Sequence, residues 1–188
     1  DGTLVSELSV LAAELGIWLH GGTFPELVDE QTRHNTSVLF DPQGDLVASY
    51  RKIHLFGFAE GERTVMSGGE DLIVIDTPLG TTGLATCYDL RFPELYRTLA
   101  LAGAKIIAVP AAFTAFTGKD HWEVLLRARA IENQCYIIAP AQWGEHPVGR
   151  QCYGRSMIIN PWGTVIAQAP DGEGVVVANL DMAELERL

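Results

Sequence analysis

Apolar residues recur at helical spacing over residues 3–15, where Leu4, Leu8, Leu11, Ala12 and Leu15 share one face and Gly16 offers a C-terminal stop. Residues 17–19 read as a short buried strand, and 21–33 as a polar loop. Alternating runs at 36–40 and 46–50 flank Asp41-Pro-Gln-Gly44, which predicts a hairpin. Residues 53–71 have no period and are rich in glycine and charge; loops of this length in compact domains are functional or disordered. Strands are predicted at 72–76 and 82–86 around Thr77-Pro-Leu-Gly80, and short apolar runs at 105–109 and 136–139 read as buried strands. Helices are predicted at 93–102, with Pro93 in the first turn, and at 120–134, with Asp120 and Glu123 in a capping arrangement. A second hairpin joins 156–160 to 164–168 through Asn160-Pro-Trp-Gly163. A last strand at 175–180 precedes a helix capped by Asp181 and Glu184.

Strands thus alternate with helices and hairpins, which predicts an α/β layered protein with mixed sheets, folded as a single domain over residues 1–188. The formal net charge of −11 argues against a nucleic-acid or anionic-membrane partner, either of which favours a basic patch. Three sparse cysteines, Cys87, Cys135 and Cys152, do not suggest a disulfide framework, and a reducing, cytoplasmic setting is expected. No apolar run approaches the roughly 20 residues that span a bilayer.

Three positions could carry chemistry. Cys87 stands in Thr86-Cys-Tyr-Asp-Leu-Arg-Phe-Pro93, where a small apolar strand end gives way to a turn before a helix. Backbone N–H groups gather at such turns and favour a thiolate, so Cys87 is a candidate nucleophile; on position alone it reads equally as a buried inert thiol. Lys52, in Tyr50-Arg-Lys-Ile-His54, sits among apolar neighbours in a strand, where an ammonium is costly unless paired; an edge lysine with its head in water is the alternative. Glu60, in Phe58-Ala-Glu-Gly-Glu62, is a candidate carboxylate or a solvated loop residue. A thiolate, a cation and a carboxylate together make an acyl-transfer set. Competing sets are missing: there is no Gly-x-Ser-x-Gly elbow, no phosphate-binding loop, and no metal-ligand spacing among the five histidines. A Cys–His pair of Cys87 with His54 or His121 stays open.

The stretches Tyr50-Arg-Lys-Ile-His-Leu-Phe56, Cys87-Tyr-Asp-Leu-Arg-Phe-Pro-Glu94, His121-Trp-Glu-Val-Leu-Leu-Arg-Ala-Arg-Ala-Ile-Glu132 and Asn160-Pro-Trp-Gly163 together resemble the nitrilase superfamily of carbon–nitrogen hydrolases, and within it the Nit branch. The resemblance implies an αββα sandwich, a homodimer or higher homo-oligomer, and a Glu-Lys-Cys triad needing no metal or organic cofactor. It assigns the nucleophile to Cys87, the triad lysine to Lys52, a supporting carboxylate to Glu60 and an oxyanion donor to the Tyr88 N–H. Arg91, Phe113 and Thr117 match substrate-contacting positions, and the fork of an arginine suits a carboxylate. The implied substrate is a small carboxylate-bearing amide, deaminated-glutathione-like or an α-keto-ω-amide, cleaved through a thioester with release of ammonia. Nitrile or N-carbamoyl hydrolysis is the alternative. The triad glutamate of the resemblance lies on a strand before the opening helix, so the chain is expected to be incomplete at both ends. Glu26, in Phe24-Pro-Glu26, imitates that motif after the wrong strand and reads as a loop residue. An inactive fragment and a non-catalytic scaffold are the remaining alternatives.

Overall fold

A computed structural model describes residues 2–57, 61–147 and 149–187. The chain divides into two compact units, Asp1–Ile73 and Val74–Leu188.

The first unit is one helix on a three-stranded antiparallel sheet. Helix α1 (Thr3–Leu15) ends at Gly16, whose φ of 62° lets its N–H turn back to the Ala12 and Ala13 carbonyls. Strands β1 (Leu19–Leu27), β2 (Arg33–Phe40) and β3 (Leu46–Arg51) follow in spatial order. Val5, Leu8 and Ala12 of the helix pack on Leu19, Phe24, Val38 and Phe40, which is the burial that the helical apolar spacing serves. The predicted β2–β3 hairpin is present, its turn held by Asp41 Oδ1, which accepts from the Gln43 and Asp45 N–H groups at 2.9 Å.

The expected strand at 17–19 and loop at 21–33 are corrected. One edge strand, β1, runs from Leu19 to Leu27 and pairs with β2 from Leu19↔Phe40 to Leu27↔Arg33. Its glycines and Pro25 masked the period, and an edge position tolerates a residue that cannot donate a ladder bond.

The second unit is built on a six-stranded sheet in the order β11-β10-β7-β6-β5-β4. These strands are β4 (Val74–Thr77), β5 (Gly80–Leu84), β6 (Ile106–Ala108), β7 (Tyr136–Ala139), β10 (Met157–Ile159) and β11 (Val165–Gln168). The β5, β6 and β7 trio is parallel, and the remaining pairs are antiparallel, as the mixed-sheet reading expects. The parallel strands are apolar because helices cover them: α2 (Pro93–Leu101), and α3 (Ala115–Asn133), which buries Trp122, Leu126 and Ala130. A ribbon of β8 (Trp143–His146) and β9 (Arg150–Tyr153) leans on α3, and α4 (Met182–Arg187) ends the described chain.

Three expectations in this unit change. Helix α3 starts at Ala115, so Asp120 and Glu123 lie inside it rather than at its cap; Gly118 hid the first turn. Gly118 is there for space, since a Cβ would stand 2.4 Å from the Tyr153 Cβ. Residues 175–180 form no strand: Val175 and Val177 alternate but stand 90% and 83% exposed, without a neighbouring strand among the described residues. The β8–β9 ribbon was not anticipated, because its residues are mostly polar or glycine.

Candidate active site

Each unit carries its own group of candidate residues. In the first, Lys52 follows β3 and its backbone N–H donates to the Asn35 carbonyl at 2.8 Å. Its side chain is 1% exposed, and its ammonium meets the Glu62 carboxylate. Glu62 opens a single 3-10 turn, Glu62–Thr64. Its Oε1 accepts from Asn35 Nδ2 at 2.6 Å, and its Oε2 accepts from the Phe56 N–H at 2.8 Å as well as from Lys52. Burial pushes the Glu62 carboxyl up, but the Lys52 ammonium and these donors outweigh it, so Glu62 titrates below its ordinary value. The long loop is therefore anchored at both ends: the Ser67 N–H donates to the Arg33 carbonyl at 2.7 Å, and the Gly69 N–H to the Lys52 carbonyl at 2.9 Å. A lysine buried on such terms is a fixed cation with a prescribed counter-ion, not an edge lysine reaching for water.

Glu60 lies outside the described residues. Among the described residues the carboxylate that meets Lys52 is Glu62, two residues on; nothing in the spacing distinguishes two glutamates in a glycine-bearing loop. Glu26 is a strand residue, not a loop residue: both its oxygens receive Arg51 donors at 2.8 Å, and Thr36 Oγ1 adds a third bond at 2.7 Å. The Arg51 hydrogen bonds hold its carboxyl down at about 2, against a smaller opposing effect of burial. That pairing gives Glu26 a structural role on the sheet.

In the second unit, Cys87 sits just beyond the C-terminal end of β5, where the chain enters the 3-10 turn Cys87–Arg91. Its φ is 47°, in the left-handed region that non-glycine residues rarely occupy. The surroundings dictate this conformation. The Ala85 N–H donates to the Ala108 carbonyl at 3.0 Å and the Cys87 N–H to the Pro110 carbonyl at 2.9 Å, continuing the parallel pairing. Asp89, fully buried, accepts from the Thr86 N–H at 2.8 Å and donates its own N–H to the Thr86 carbonyl at 3.0 Å. Below the turn, Arg129 of α3 donates Nε and Nη2 to the Leu90 carbonyl at 3.1 and 2.8 Å and lies over the Tyr96 ring, while Nη1 pairs with Glu132 at 2.8 Å. Burial raises the Tyr96 phenol well above its ordinary value, with the Asp89 charge adding to the rise. The Cys87 turn is thus braced from the sheet side and from α3, a strained strand-to-helix turn of the kind that presents a nucleophile.

The structure brings Arg91 and Phe113 together: the guanidinium stands over the Phe113 ring at 5.2 Å and over the Tyr88 ring at 5.8 Å. Phe113 is 4% exposed and packs on Trp122. Arg91 Nη1 also stands 3.3 Å from His121 Nδ1, so that histidine adjoins the arginine. Thr117, in the first turn of α3, shares a 2.9 Å hydrogen bond with Thr114. Cys135 is buried, donates to the Ala104 carbonyl at 3.1 Å and has its thiol pushed up to about 11 by burial, which makes it a poor nucleophile beside a thiol at a strained turn. Among the described residues, no three His, Cys, Asp or Glu side chains gather as metal ligands, and no helix is long and apolar enough to cross a membrane.

The whole chain, residues 1–188, matches the family model described as carbon–nitrogen hydrolase. It is 47% identical to deaminated glutathione amidase of Rattus norvegicus over 100% of this chain, and spans 61% of that protein's length. Its backbone superposes on Nit3 of Saccharomyces cerevisiae, described as a member of branch 10 of the nitrilase superfamily, with a TM-score of 0.92 at 38% identity, covering 100% of this chain and 68% of that one. It is also similar to a mutant of the amidase from Nesterenkonia sp. AN1, showing the result of Michael addition of acrylamide at its active-site cysteine (TM-score 0.86, 30% identity, 97% and 73% of the two chains). The motifs, the mixed α/β fold and the family match over residues 1–188 agree, and the chain belongs to the carbon–nitrogen hydrolase family.

Proposed function

We propose that this chain serves as an amidase that cleaves a non-peptide carbon–nitrogen bond of a small carboxylate-bearing amide through a thioester on Cys87, its two units acting as one hydrolase domain. The observation that carries the reading is the backbone of Cys87, held at a φ of 47° at the mouth of a parallel strand by bonds on both sides of the turn. Strain of this kind persists where the surroundings over-determine it, and it collects at reacting groups. The chemically labelled active-site cysteine of the Nesterenkonia amidase and the deaminated glutathione named for the rat relative support the nucleophile and the substrate class.

The Cys87 sulfur attacks the amide carbonyl carbon. The oxyanion that forms takes hydrogen bonds from the Lys52 ammonium and the Tyr88 N–H, each such donor being worth roughly 10²–10³ in kcat. The carbon–nitrogen bond then breaks, and the nitrogen leaves as ammonia or an amine after a general acid protonates it. The same group, now a base, takes a proton from the water that attacks the thioester, and the carboxylic acid and thiol are restored. Glu62 is a positioning residue: its carboxylate pairs with the Lys52 side chain and holds it in place. Arg91 holds a carboxylate of the acyl part, with Phe113 and Thr117 shaping the pocket around it. No step calls for a metal or an organic cofactor. A homodimer or higher homo-oligomer in a reducing cytoplasm completes the reading, and the buried thiols of Cys135 and Cys152 suit that compartment.

The test is hydrolysis of α-ketoglutaramate and deaminated glutathione, followed by mass spectrometry of the acyl-enzyme. An acyl adduct on Cys87 and loss of turnover in Cys87→Ser are expected; full turnover in Cys87→Ser overturns the assignment.

A further inference from the structure

Strand β2 serves two acid–base pairs, one on each face. Asn35 and Thr36 are consecutive, so their side chains leave the strand on opposite sides. On one side Thr36 Oγ1 donates at 2.7 Å to Glu26, the partner of Arg51. On the other, Asn35 Nδ2 donates at 2.6 Å to Glu62, the partner of Lys52. The pairs differ in burial: the Arg51 side chain is 44% exposed, whereas that of Lys52 is 1% exposed. All of these residues belong to the first unit.

Asn35 acts on Lys52 in two ways. Its backbone carbonyl accepts the Lys52 N–H at 2.8 Å, which fixes where the lysine leaves β3. Its side chain reaches the ammonium through Glu62. Nδ2 holds Oε1 and the Phe56 N–H holds Oε2 at 2.8 Å, so both oxygens are pinned and the carboxylate plane is set against Lys52. An amide N–H also needs a lone pair to donate to, so it favours the ionised carboxylate. Lys52 is the charge that faces Glu62; Arg63, on the same turn, points its Nε at the Leu55 carbonyl, 3.4 Å away. Asn35 Oδ1, by contrast, is buried and accepts no hydrogen bond from a described residue. An unpaired buried carbonyl costs stability, so stability alone does not account for an asparagine here.

We propose that Asn35 is a positioning residue for the reaction: its side chain sets the Glu62 carboxylate, and through it the direction in which the Lys52 ammonium meets the oxyanion. The inference rests on the amidase reading for the part that Lys52 plays. The two actions of Asn35 are separable, because a change of side chain leaves its carbonyl bond to Lys52 in place. Thr36 is the matched control. It is also a neutral donor to a paired carboxylate, one residue along, on the face of the Glu26–Arg51 pair that the reaction does not use.

The test compares three variants with wild type. Asn35→Leu keeps the shape and loses the donor, Asn35→Asp sets a second carboxylate against Glu62, and Thr36→Val removes the control donor. Hydrolysis of α-ketoglutaramate and deaminated glutathione gives kcat and KM across pH, and carbon NMR of protein labelled at glutamate Cδ titrates Glu62 directly. In both Asn35 variants kcat is expected to fall by about ten- to a hundredfold with KM changed by less than about twofold, because a slightly misplaced catalytic group loses rate rather than binding. The Glu62 midpoint rises in both, and more in Asn35→Asp, where two facing carboxylates share a proton; the acid limb of kcat moves up with it. Thr36→Val loses stability but keeps the wild-type kcat and pH profile. Wild-type kcat in Asn35→Asp overturns the proposal, whether or not Asn35→Leu folds. An unmoved Glu62 midpoint overturns it too, as does an equal loss of kcat in Thr36→Val, the mark of general destabilisation. Wild-type protein that hydrolyses neither amide, with the Glu62 midpoint shifted in the variants, refutes the amidase reading and leaves the hold of Asn35 on Glu62 standing.

Discussion

Arg129 closes on the carbonyl oxygen of Leu90 with two donors at once, Nε at 3.1 Å and Nη2 at 2.8 Å. The contact joins residues 39 positions apart and ties the middle of α3 to the turn that begins at Cys87. The guanidinium is 6% exposed, with Glu132 as its counter-ion and Tyr96 beneath it. Geometry of the Cys87 turn therefore depends on a helix that contributes nothing to the turn's own sequence.

Arg129→Lys keeps the charge but loses the fork, since one ammonium cannot reach both Leu90 and Glu132 as a planar guanidinium does. A loss of about 2–4 kcal/mol in urea unfolding is expected, because the Leu90 carbonyl is left short of donors in a buried setting. At temperatures where the variant stays folded, kcat should fall more than KM rises. Wild-type stability in this variant would show that the brace does not matter.

Lys52 and Glu62 form a buried pair whose halves are unequal to lose. Glu62→Ala strands an ammonium that is 1% exposed, at a cost of roughly 3–5 kcal/mol. Lys52→Met/Glu62→Leu removes both charges and should recover most of that stability while remaining inactive. Chemical denaturation of wild type, Lys52→Met, Glu62→Leu and the double variant gives the coupling, and additive losses would contradict the pairing.

Much of this was legible in the sequence, and the boundary of legibility follows the physics. The parallel strands around Ile106–Ala108 and Tyr136–Ala139 were readable because helices cover them and burial selects unbroken apolar runs. Lys52 stood out as a candidate because a lysine among apolar residues is costly unless paired, and the structure gives it a buried partner in Glu62; Cys87 stood out because it falls where a small apolar run gives way to a turn. Strand β1 was not, since an edge strand tolerates Gly21, Gly22 and Pro25 and shows no clean alternation. The Glu62 contact was invisible because only the fold of the loop chooses between neighbouring glutamates.

Gly118→Ala sets two effects against each other. Alanine is a better helix former than glycine by up to about 1 kcal/mol. Its Cβ, however, would stand 2.4 Å from the Tyr153 Cβ and 2.6 Å from the Tyr153 ring carbon Cγ. Overpacking of that kind costs about 1–3 kcal/mol, so the clash wins and net destabilisation is expected. A rise in the unfolding midpoint would mean that the β8–β9 ribbon yields without cost.

Stability should fall on acidification in two steps. Burial lowers His20 to about 4, below the ordinary value near 6.5, so from pH 6.5 down to 4 the unfolded chain binds a proton that the folded chain refuses. Stability is full above 6.5 and drops through that window by on the order of 3 kcal/mol. Glu26 and Glu62 have carboxyl groups held below their ordinary 4.5; their contribution is present above that value and disappears as pH falls through their folded values. His20→Gln should flatten the upper step and leave the lower one. Urea midpoints at half-unit pH intervals measure both, and an unchanged upper step in the variant would remove His20 as its cause.

The strained backbone of Cys87 makes a prediction that separates function from stability. A side chain in the left-handed region costs about 1 kcal/mol or somewhat more, and glycine avoids that cost. Cys87→Ala keeps the Cβ and the strain and loses only the sulfur. Cys87→Gly loses both, and against it stands the larger entropy of an unfolded glycine, about 0.4–1 kcal/mol. Where the native φ is positive, relief of strain exceeds that penalty, so Cys87→Gly is expected to be more stable than Cys87→Ala by about 0.5–1 kcal/mol, with both inactive. Paired denaturation curves read the difference. An alanine variant at least as stable as the glycine variant would mean that the turn imposes no strain on Cys87, and the proposed nucleophile would then lose the energetic signature that supports its assignment.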